Sequence, residues 1–377
     1  MRIVHALNSD ETNIRGIATH VLCLAVAQQA RGSSVLIVID RPGVFVQMCH
    51  QRGIPVAVMA QELRPDGLPG GLPAEKAVQG LVKQFRDFNA EVIHCHDLQP
   101  AARAIPAGNR VQLPCIFTSH GDIRATLDRL RFAKSLDMRF KIIAVCKADF
   151  KSLKESGGIP ETDIYYVPYG TPSASQARRE EAFKSHRPNL ILVGVLEPRK
   201  GIDVAIMAMA ELRRRRGQDC PTLSIYGESS EKLFYAYYRE MVELSGLSDI
   251  VRFCGVQPGI LERCPSGDIL IVPSRAETGP IVVLEAMSRG MPIVASDVGD
   301  VAEMLPDPRY GRVIPVMVGA RFEWVSIAAL TDAIESLLSE IADGRFDPDL
   351  LIDRHRSFYT VERMTESIDI IYKESSI

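Results

Sequence analysis

Short apolar runs of β type return along this chain in two series, each separated by helical stretches. The first series is RIVHAL (Arg2–Leu7), VLIVID (Val35–Asp40), VAVMA (Val56–Ala60), VIHCH (Val92–His96), CIFTSH (Cys115–His120) and KIIAVC (Lys141–Cys146). Near-continuous hydrophobicity in such runs belongs to strands buried on both faces, and parallel strands need helical crossovers between them. Apolar periodicity then lapses over TPSASQARREEAFKSHRPN (Thr171–Asn189), a polar stretch that suits a linker. A second series follows at once: LILVGVL (Leu190–Leu196), TLSIYG (Thr222–Gly227), VRFCG (Val251–Gly255), DILIVPS (Asp268–Ser274) and PIVAS (Pro292–Ser296).

The pattern predicts an α/β chain with two Rossmann-like parallel-sheet domains in tandem. At 377 residues the chain exceeds one ordinary core and suits two. The expected domains are 1–172, 173–355 and a closing amphipathic helix over 356–377 that packs back on the first domain. Ligands in open parallel sheets bind beyond the carboxyl ends of the strands, so two such domains are expected to face a central cleft.

Composition narrows the function classes. With 46% hydrophobic and 24% charged residues the chain reads as a soluble globular protein without an apolar run long enough to span a bilayer. Its opening MRIVHAL enters a strand directly, without signal-peptide regions, and the expected compartment is cytoplasmic. Eight cysteines without a CxxC pair predict neither disulfides nor a zinc site. A net charge of −3 removes any global argument for nucleic-acid binding.

The stretch SRAETGPIVVLEAMSRG (Ser274–Gly290) carries two glutamates eight positions apart, Glu277 in a loop and Glu285 inside an apolar run. Gly279, Pro280 and Ile281 open the intervening helix, proline being favoured at the first helical position because its missing N–H costs nothing there. A helix start offers unpaired amides to a phosphate or diphosphate. Glu285 then falls roughly 7–8 Å along the axis, the scale of a step from diphosphate to ribose. Alternatively it is a solvent-facing glutamate of an amphipathic helix.

The same segment, continued through EAMSRGMPIVASDVGDVAEML, resembles the donor-binding signature of family-four retaining glycosyltransferases of the GT-B fold, with Ala286, Met287, Gly290, Pro292, Gly299 and Glu303 matching beyond the two glutamates. The likeness extends to GIATHVLCLAVAQQARGSSVLIV, IFTSHG, LILVGVLEPRKGIDVAIMAMAEL, VRFCGV and SFYTVERMTESIDIIYK, and so covers nearly the whole chain. It implies catalytic roles for His120 near the donor sugar, Glu277 on the sugar hydroxyls and Lys200 on the diphosphate. It implies donor contacts from Gly16, Arg199, Gly279, Pro280, Ile281 and Glu285, the last on the ribose.

The chain departs from the family pattern in places. Val195 stands where an arginine is usual, and Arg199 is the candidate substitute because guanidinium bonds phosphate oxygens bidentately. The first-loop glycine pair is reduced to Arg15-Gly16, Pro280 replaces a glycine and removes one amide, and Tyr169 replaces the asparagine of an NG turn.

Other features have plainer readings. His94 and His96 alternate on one strand face and, with Asp97, raise a metal site, but no matching carboxylate or cysteine cluster can be assigned, and hydrogen-bonded histidines at a strand end are expected instead. Asp347-Pro348-Asp349 follows no nucleotide-domain strand, so no metal site is expected. Arg213–Arg216 ends a helix, where cations suit the macrodipole. Residues 122–141 interleave basic and apolar side chains and are the candidate for peripheral contact with the inner membrane face. GxSxG and GxxxxGK[ST] are absent.

The resulting expectation is a retaining, metal-independent transfer of a sugar from a nucleotide diphosphate sugar, UDP-linked by default, to a hydroxyl acceptor, with no other cofactor. The rival readings are a nucleotide-sugar epimerase or phosphorylase-like enzyme on the same fold, or a catalytically degenerate nucleotide-sugar binder.

Overall fold

The computed structural model describes the chain except residues 9–15, 64–73, 122, 124, 125, 175–187, 230, 266, 320–322, 376 and 377. The chain divides into two compact units, Met1–Thr171 with Thr360–Ile377, and Pro172–Tyr359. Most of the polar stretch read as a linker, and Arg15 of the reduced glycine pair, lie outside the described residues.

In the first unit the chain runs β1 (Arg2–Leu7), α1 (Gly16–Ala30), β2 (Ser34–Ile39), α2 (Val44–Gln51), β3 (Val56–Val58), α3 (Ala60–Leu63), α4 (Ala74–Asp87), β4 (Val92–Cys95), α5 (Leu98–Arg110), β5 (Cys115–Ser119), α6 (Leu127–Ser135), β6 (Lys141–Ala144), α7 (Lys147–Glu155) and β7 (Ile164–Tyr166). These seven strands form one parallel sheet in the order β3-β2-β1-β4-β5-β6-β7. The apolar runs become strands because both faces are covered: every residue of β4 and β5 is buried. The run at Val56 is shorter than its composition suggests, since Ala60 already begins a helical turn.

The second unit runs β8 (Leu190–Val193), α8 (Ile202–Arg216), β9 (Leu223–Tyr226), α9 (Lys232–Leu244), β10 (Val251–Phe253), β11 (Ile269–Val272), α10 (Ile281–Met287), β12 (Ile293–Ser296), α11 (Val301–Met304), β13 (Arg312–Ile314), a small antiparallel pair β14 (Val316–Val318) and β15 (Glu323–Val325), α12 (Ile327–Ala342) and α13 (Pro348–Phe358). Its six-stranded sheet has the order β10-β9-β8-β11-β12-β13, again all parallel. A core of Leu190, Leu192, Ile206, Met209, Leu223, Ile225, Ile269 and Leu337 binds α8 and α12 to this sheet.

The last helix, α14 (Val361–Ser375), belongs to the first unit. Val361, Met364, Ile368, Ile371 and Tyr372 recur at helical spacing and pack on Ile3, Leu24, Val92 and Ile116, while Arg31, just past α1, pairs with Asp369 at 3.1 Å and Glu366 at 3.3 Å.

In each sheet the strand order reverses at one place, between β1 and β4 and between β8 and β11. The connections leaving those strands diverge to opposite sides and open a crevice at their carboxyl ends. In the second unit the two loops concerned are Gly194–Gly201 and Pro273–Pro280. Two left-handed glycines hold them. Gly201, at φ 66°, lies where a Cβ would come within 2.0 Å of the Pro273 carbonyl oxygen, and Gly299, at φ 57°, lies where one would come within 2.0 Å of the Thr278 oxygen. Gly299→Ala combines strain with a backbone clash and is expected to lower unfolding free energy by about 2–4 kcal/mol, measured by urea titration. An unchanged midpoint would show that this loop is not held against Thr278.

Candidate functional site

The loops at the second sheet's reversal converge on one carboxylate. Lys200 Nζ donates to Glu277 Oε1 at 2.5 Å, Ser274 Oγ donates to the same oxygen at 2.9 Å, and Arg199 Nη1 donates to Glu277 Oε2 at 3.0 Å. The Glu277 side chain is only 9% exposed and that of Lys200 19%, so the pair is largely out of water, whereas Arg199 stays 45% exposed. Lys200 reaches Glu277 by lying over Gly194, whose missing Cβ would stand 3.4 Å from the lysine stem.

A second tie fixes the two loops to one another. Arg275 forms a fork on Asp203 in the first turn of α8, at 3.0 and 2.7 Å, its backbone N–H donates to the Arg199 oxygen at 2.7 Å, and its guanidinium also reaches the Pro198 oxygen. Ser274, Arg275 and Asp203 were invisible to motif reading, because nothing in their spacing separates them from surface polar residues.

Arg199, four residues beyond Val195, comes to Glu277 and bonds both the Ala276 oxygen and Glu197 as well. Pro280 caps α10 in extended conformation, and the helix proper begins at Ile281. Glu285 of α10 is half-buried rather than solvent-facing. Burial pushes its carboxyl up to about 7, with neighbouring Glu262 acting in the same direction and Arg289 against it.

The first unit holds a separate arrangement. His120 follows β5, and its ring stacks parallel to Tyr169, the residue that replaces the NG-turn asparagine, with centroids 5.6 Å apart. Its Nδ1 lies 2.6 Å from the Tyr169 hydroxyl and its Nε2 3.1 Å from His96 Nδ1. The line continues from His96 Nε2 to His5 Nδ1 at 2.9 Å, from His5 Nε2 to Gln28 Oε1 at 2.8 Å, from Gln28 Nε2 to the Tyr372 oxygen at 3.3 Å, from there to His94 Nδ1 at 2.6 Å and from His94 Nε2 to Thr118 Oγ1 at 2.6 Å.

Because an amide oxygen only accepts, His5 Nε2 carries the proton, and the neutral rings of His120, His96 and His5 then donate in one sense, from Tyr169 toward Gln28. Burial holds the rings neutral: it lowers His120 to about 3 and His5 to about 4, and takes His20, His94 and His96 well below the ordinary histidine range. His120 is thus a neutral ring. Asp97 stands apart, accepting the Asn8 backbone N–H at 2.8 Å. His94 and His96 are hydrogen-bonded, as the sequence suggested, while Gln28, Tyr372 and the partnership with Tyr169 were not legible because those residues are far away in the chain.

The remaining candidates resolve locally. Gly16 heads α1 and is exposed. Asp347 caps α13 by accepting the Asp349 N–H at 3.0 Å. Arg213, Arg214 and Arg215 are ion-paired to Asp249, Glu211, Asp332 and Glu335, so the arginine run is a solvated helix end.

These features define a chain of two parallel-sheet α/β units, the second with a charged crevice at its strand-order reversal. Residues 187–340 match the family model described as Glycosyl transferases group 1, and residues 15–170 match Glycosyl transferase 4-like domain. The chain belongs to this family of GT-B glycosyltransferases. It is 32% identical over 174 residues to an alpha-D-kanosaminyltransferase of Streptomyces kanamyceticus, covering 44% of this chain and 41% of that one. It is 25% identical over 335 residues to a phosphatidyl-myo-inositol mannosyltransferase of Mycobacterium leprae, covering 86% and 83%. The first relatives are thus matched over less than half of their length. Among solved structures, a glycosyltransferase from Rickettsia africae superposes with a TM-score of 0.81 at 16% identity, over 99% of this chain and 98% of that one. Anabaena HepE in complex with UDP and glucose superposes at 0.79 and 17%, over 98% and 99%. At such identities the likeness concerns the fold.

Glu285 supplies a direct check on its environment. Its value near 7 lies above the ordinary 4.5, so its favourable contribution is full below about 4.5 and lost as pH rises through 7. Glu285→Gln, which stays neutral, should therefore be more stable than the parent at pH 8, by up to about 3 kcal/mol, with the advantage gone by pH 4.5. Parallel urea curves at the two pH values read this; an equal difference at both would contradict a carboxylate strained by burial.

Proposed function

We propose that this chain is a retaining glycosyltransferase, moving a sugar from a nucleotide diphosphate sugar, UDP-linked by first choice, to a hydroxyl acceptor without a resident metal ion. The observation that carries the reading is the convergence of Lys200 and Arg199 on Glu277 at the reversal point of the second sheet. Sugar transfer develops positive charge on the sugar and negative charge on the departing diphosphate, and fixed cations in a poorly hydrated crevice stabilise the latter without reorganising.

Lys200 and Arg199 serve the diphosphate in this reading, with the amides of Gly279 and Ile281 beside Pro280. Glu277, already held by two cations and Ser274, accepts from hydroxyls of the transferred sugar. Glu285 does the same for the ribose. From the first unit, Gly16 permits close approach to the phosphates, and His120, a neutral ring backed by Tyr169, orients a polar group of the donor sugar. No side chain is assigned as a covalent nucleophile; the departing phosphate oxygen takes the acceptor proton on the same face. UDP is preferred because HepE, a neighbour in fold, is seen with UDP and with UDP-glucose.

Lys200→Ala and Glu277→Gln are each expected to reduce kcat/KM by about 10²–10³ in protein whose circular dichroism still shows the folded state. EDTA should not lower the rate, and the product should keep the donor's anomeric configuration by NMR. Near-normal kcat/KM in both variants would remove the site assignment. UDP binding without transfer to any hydroxyl acceptor would instead identify a degenerate binder.

The same reading places the protein in the cytoplasm, with 122–141 touching the inner membrane face. No described helix is long and apolar enough to cross a membrane. On α6, Phe132 is 65% exposed, and the next residue after the helix, Leu136, is 54% exposed, although Lys134 turns inward to Asp163. Residues 122, 124 and 125 lie outside the described part. Sedimentation with vesicles rich in anionic lipid should fall about tenfold in the double variant Phe132→Glu, Leu136→Glu. Equal sedimentation of parent and variant would exclude this surface.

A further inference from the structure

His20, on α1, belongs to the same buried cluster as the histidine line but takes no part in it. It is 3% exposed, and both of its ring nitrogens are buried without a hydrogen-bond partner. An imidazole left so is costly, since burying an unsatisfied polar group forfeits its hydration with no return. Three histidines surround one point here: His20, His96 and His120 each offer a ring nitrogen, and these atoms lie within 4.8 Å of one another.

The ring spacing can be compared with what an ion requires. Imidazoles bound tetrahedrally at about 2.0–2.1 Å stand with their centroids roughly 5.2 Å apart and their ligating nitrogens roughly 3.3 Å apart. The three centroid separations are 4.9, 5.3 and 5.6 Å, and His96 Nδ1 lies 3.1 Å from His120 Nε2. The alternative triad of His5, His94 and His96 is different. Every ring nitrogen of His5 and His94 is already engaged, by His96, Gln28, Tyr372 and Thr118.

We propose that His20, His96 and His120 form a binding site for one borderline divalent transition-metal ion of the zinc class, with a fourth position left to water. The ion replaces one hydrogen bond, that between His96 and His120. His96 keeps its Nε2 proton on His5, and His5 keeps its own on Gln28, so the far side of this ligand is oriented as metal-bound histidines require. His120 moves its proton from Nε2 to Nδ1, where the Tyr169 oxygen accepts it, and no proton is released. His20 receives the partner it lacks. The rings are neutral at pH 7 because of burial, so their lone pairs are available. Half-exposed His120 gives the cluster its side toward solvent.

The ion is not a cofactor for the transfer proposed above. It occupies His120, so a filled site is an inhibited one; that consequence rests on the proposed role of His120, whereas binding does not.

Metal-stripped full-length protein titrated with Co²⁺ should take up one equivalent and develop the intense visible bands of tetrahedral cobalt, without the thiolate charge-transfer band that ligation by the partly exposed Cys23, Cys254 or Cys264 would add. Zn²⁺ should displace it one for one. His20→Gln should weaken binding about 100-fold while its circular dichroism and thermal unfolding match the parent. A weak six-coordinate spectrum, a thiolate band, or affinity unchanged in His20→Gln would each overturn the site. If that variant does not fold, the spectrum of the parent protein decides alone. Zn²⁺ should also inhibit transfer in the parent. Stoichiometric tetrahedral binding without inhibition would leave the ion site standing and count against the role given to His120.

Discussion

The arrangement in the second unit depends on a lysine and a glutamate held nearly out of water. Removing two opposite charges from solvent costs several kcal/mol each, and the pair is tolerated only where extra hydrogen bonds complete it. Here Ser274 and Arg199 complete the Glu277 side, and the loops bearing the two charges are tied by the Arg275–Asp203 fork. Gly201 and Gly299 allow backbone to approach where a side chain could not fit. A charge pair of this kind is a poor way to gain stability but a good way to keep charged groups in fixed positions.

The first unit solves a different problem. Five histidines are packed between β1, β4, β5, α1 and α14, where aliphatic side chains would bury more cheaply. Neutral rings with alternating donor and acceptor nitrogens form an almost fully satisfied seam, and His20 is the exception. The seam links His120 to Tyr372 on the last helix, so residues at the two ends of the chain meet in one network.

The departures from the family pattern acquire physical content in this setting. Tyr169, in place of asparagine, carries the hydroxyl that meets His120 and stacks on its ring. Arg199 stands beside Glu277 even though it is four positions from Val195. Pro280 gives up an amide but sets the extended entry to α10. Tyr169 changes the surroundings of His120 in the first unit, and Arg199 and Pro280 those of the crevice in the second.

The sequence by itself determined the two parallel sheets, since burial on both faces forces uninterrupted apolar strands and period-3.6 helices between them, and both signals are local. It also marked Glu277 and Glu285 by their spacing around a helix start, and the resemblance to a known family added Lys200 and His120. Tertiary structure alone decided what those residues touch. The strand order brings β8 beside β11 and β1 beside β4, which sets Lys200 against Glu277 across 77 positions and His5 against His96 across 91, and the packing of α14 on α1 sets Gln28 against Tyr372 across 344. The lifted carboxyl of Glu285 and the orphaned ring of His20 belong to that second kind. Both arise from how much water and which neighbours the folded chain leaves around a group, and no local pattern encodes either.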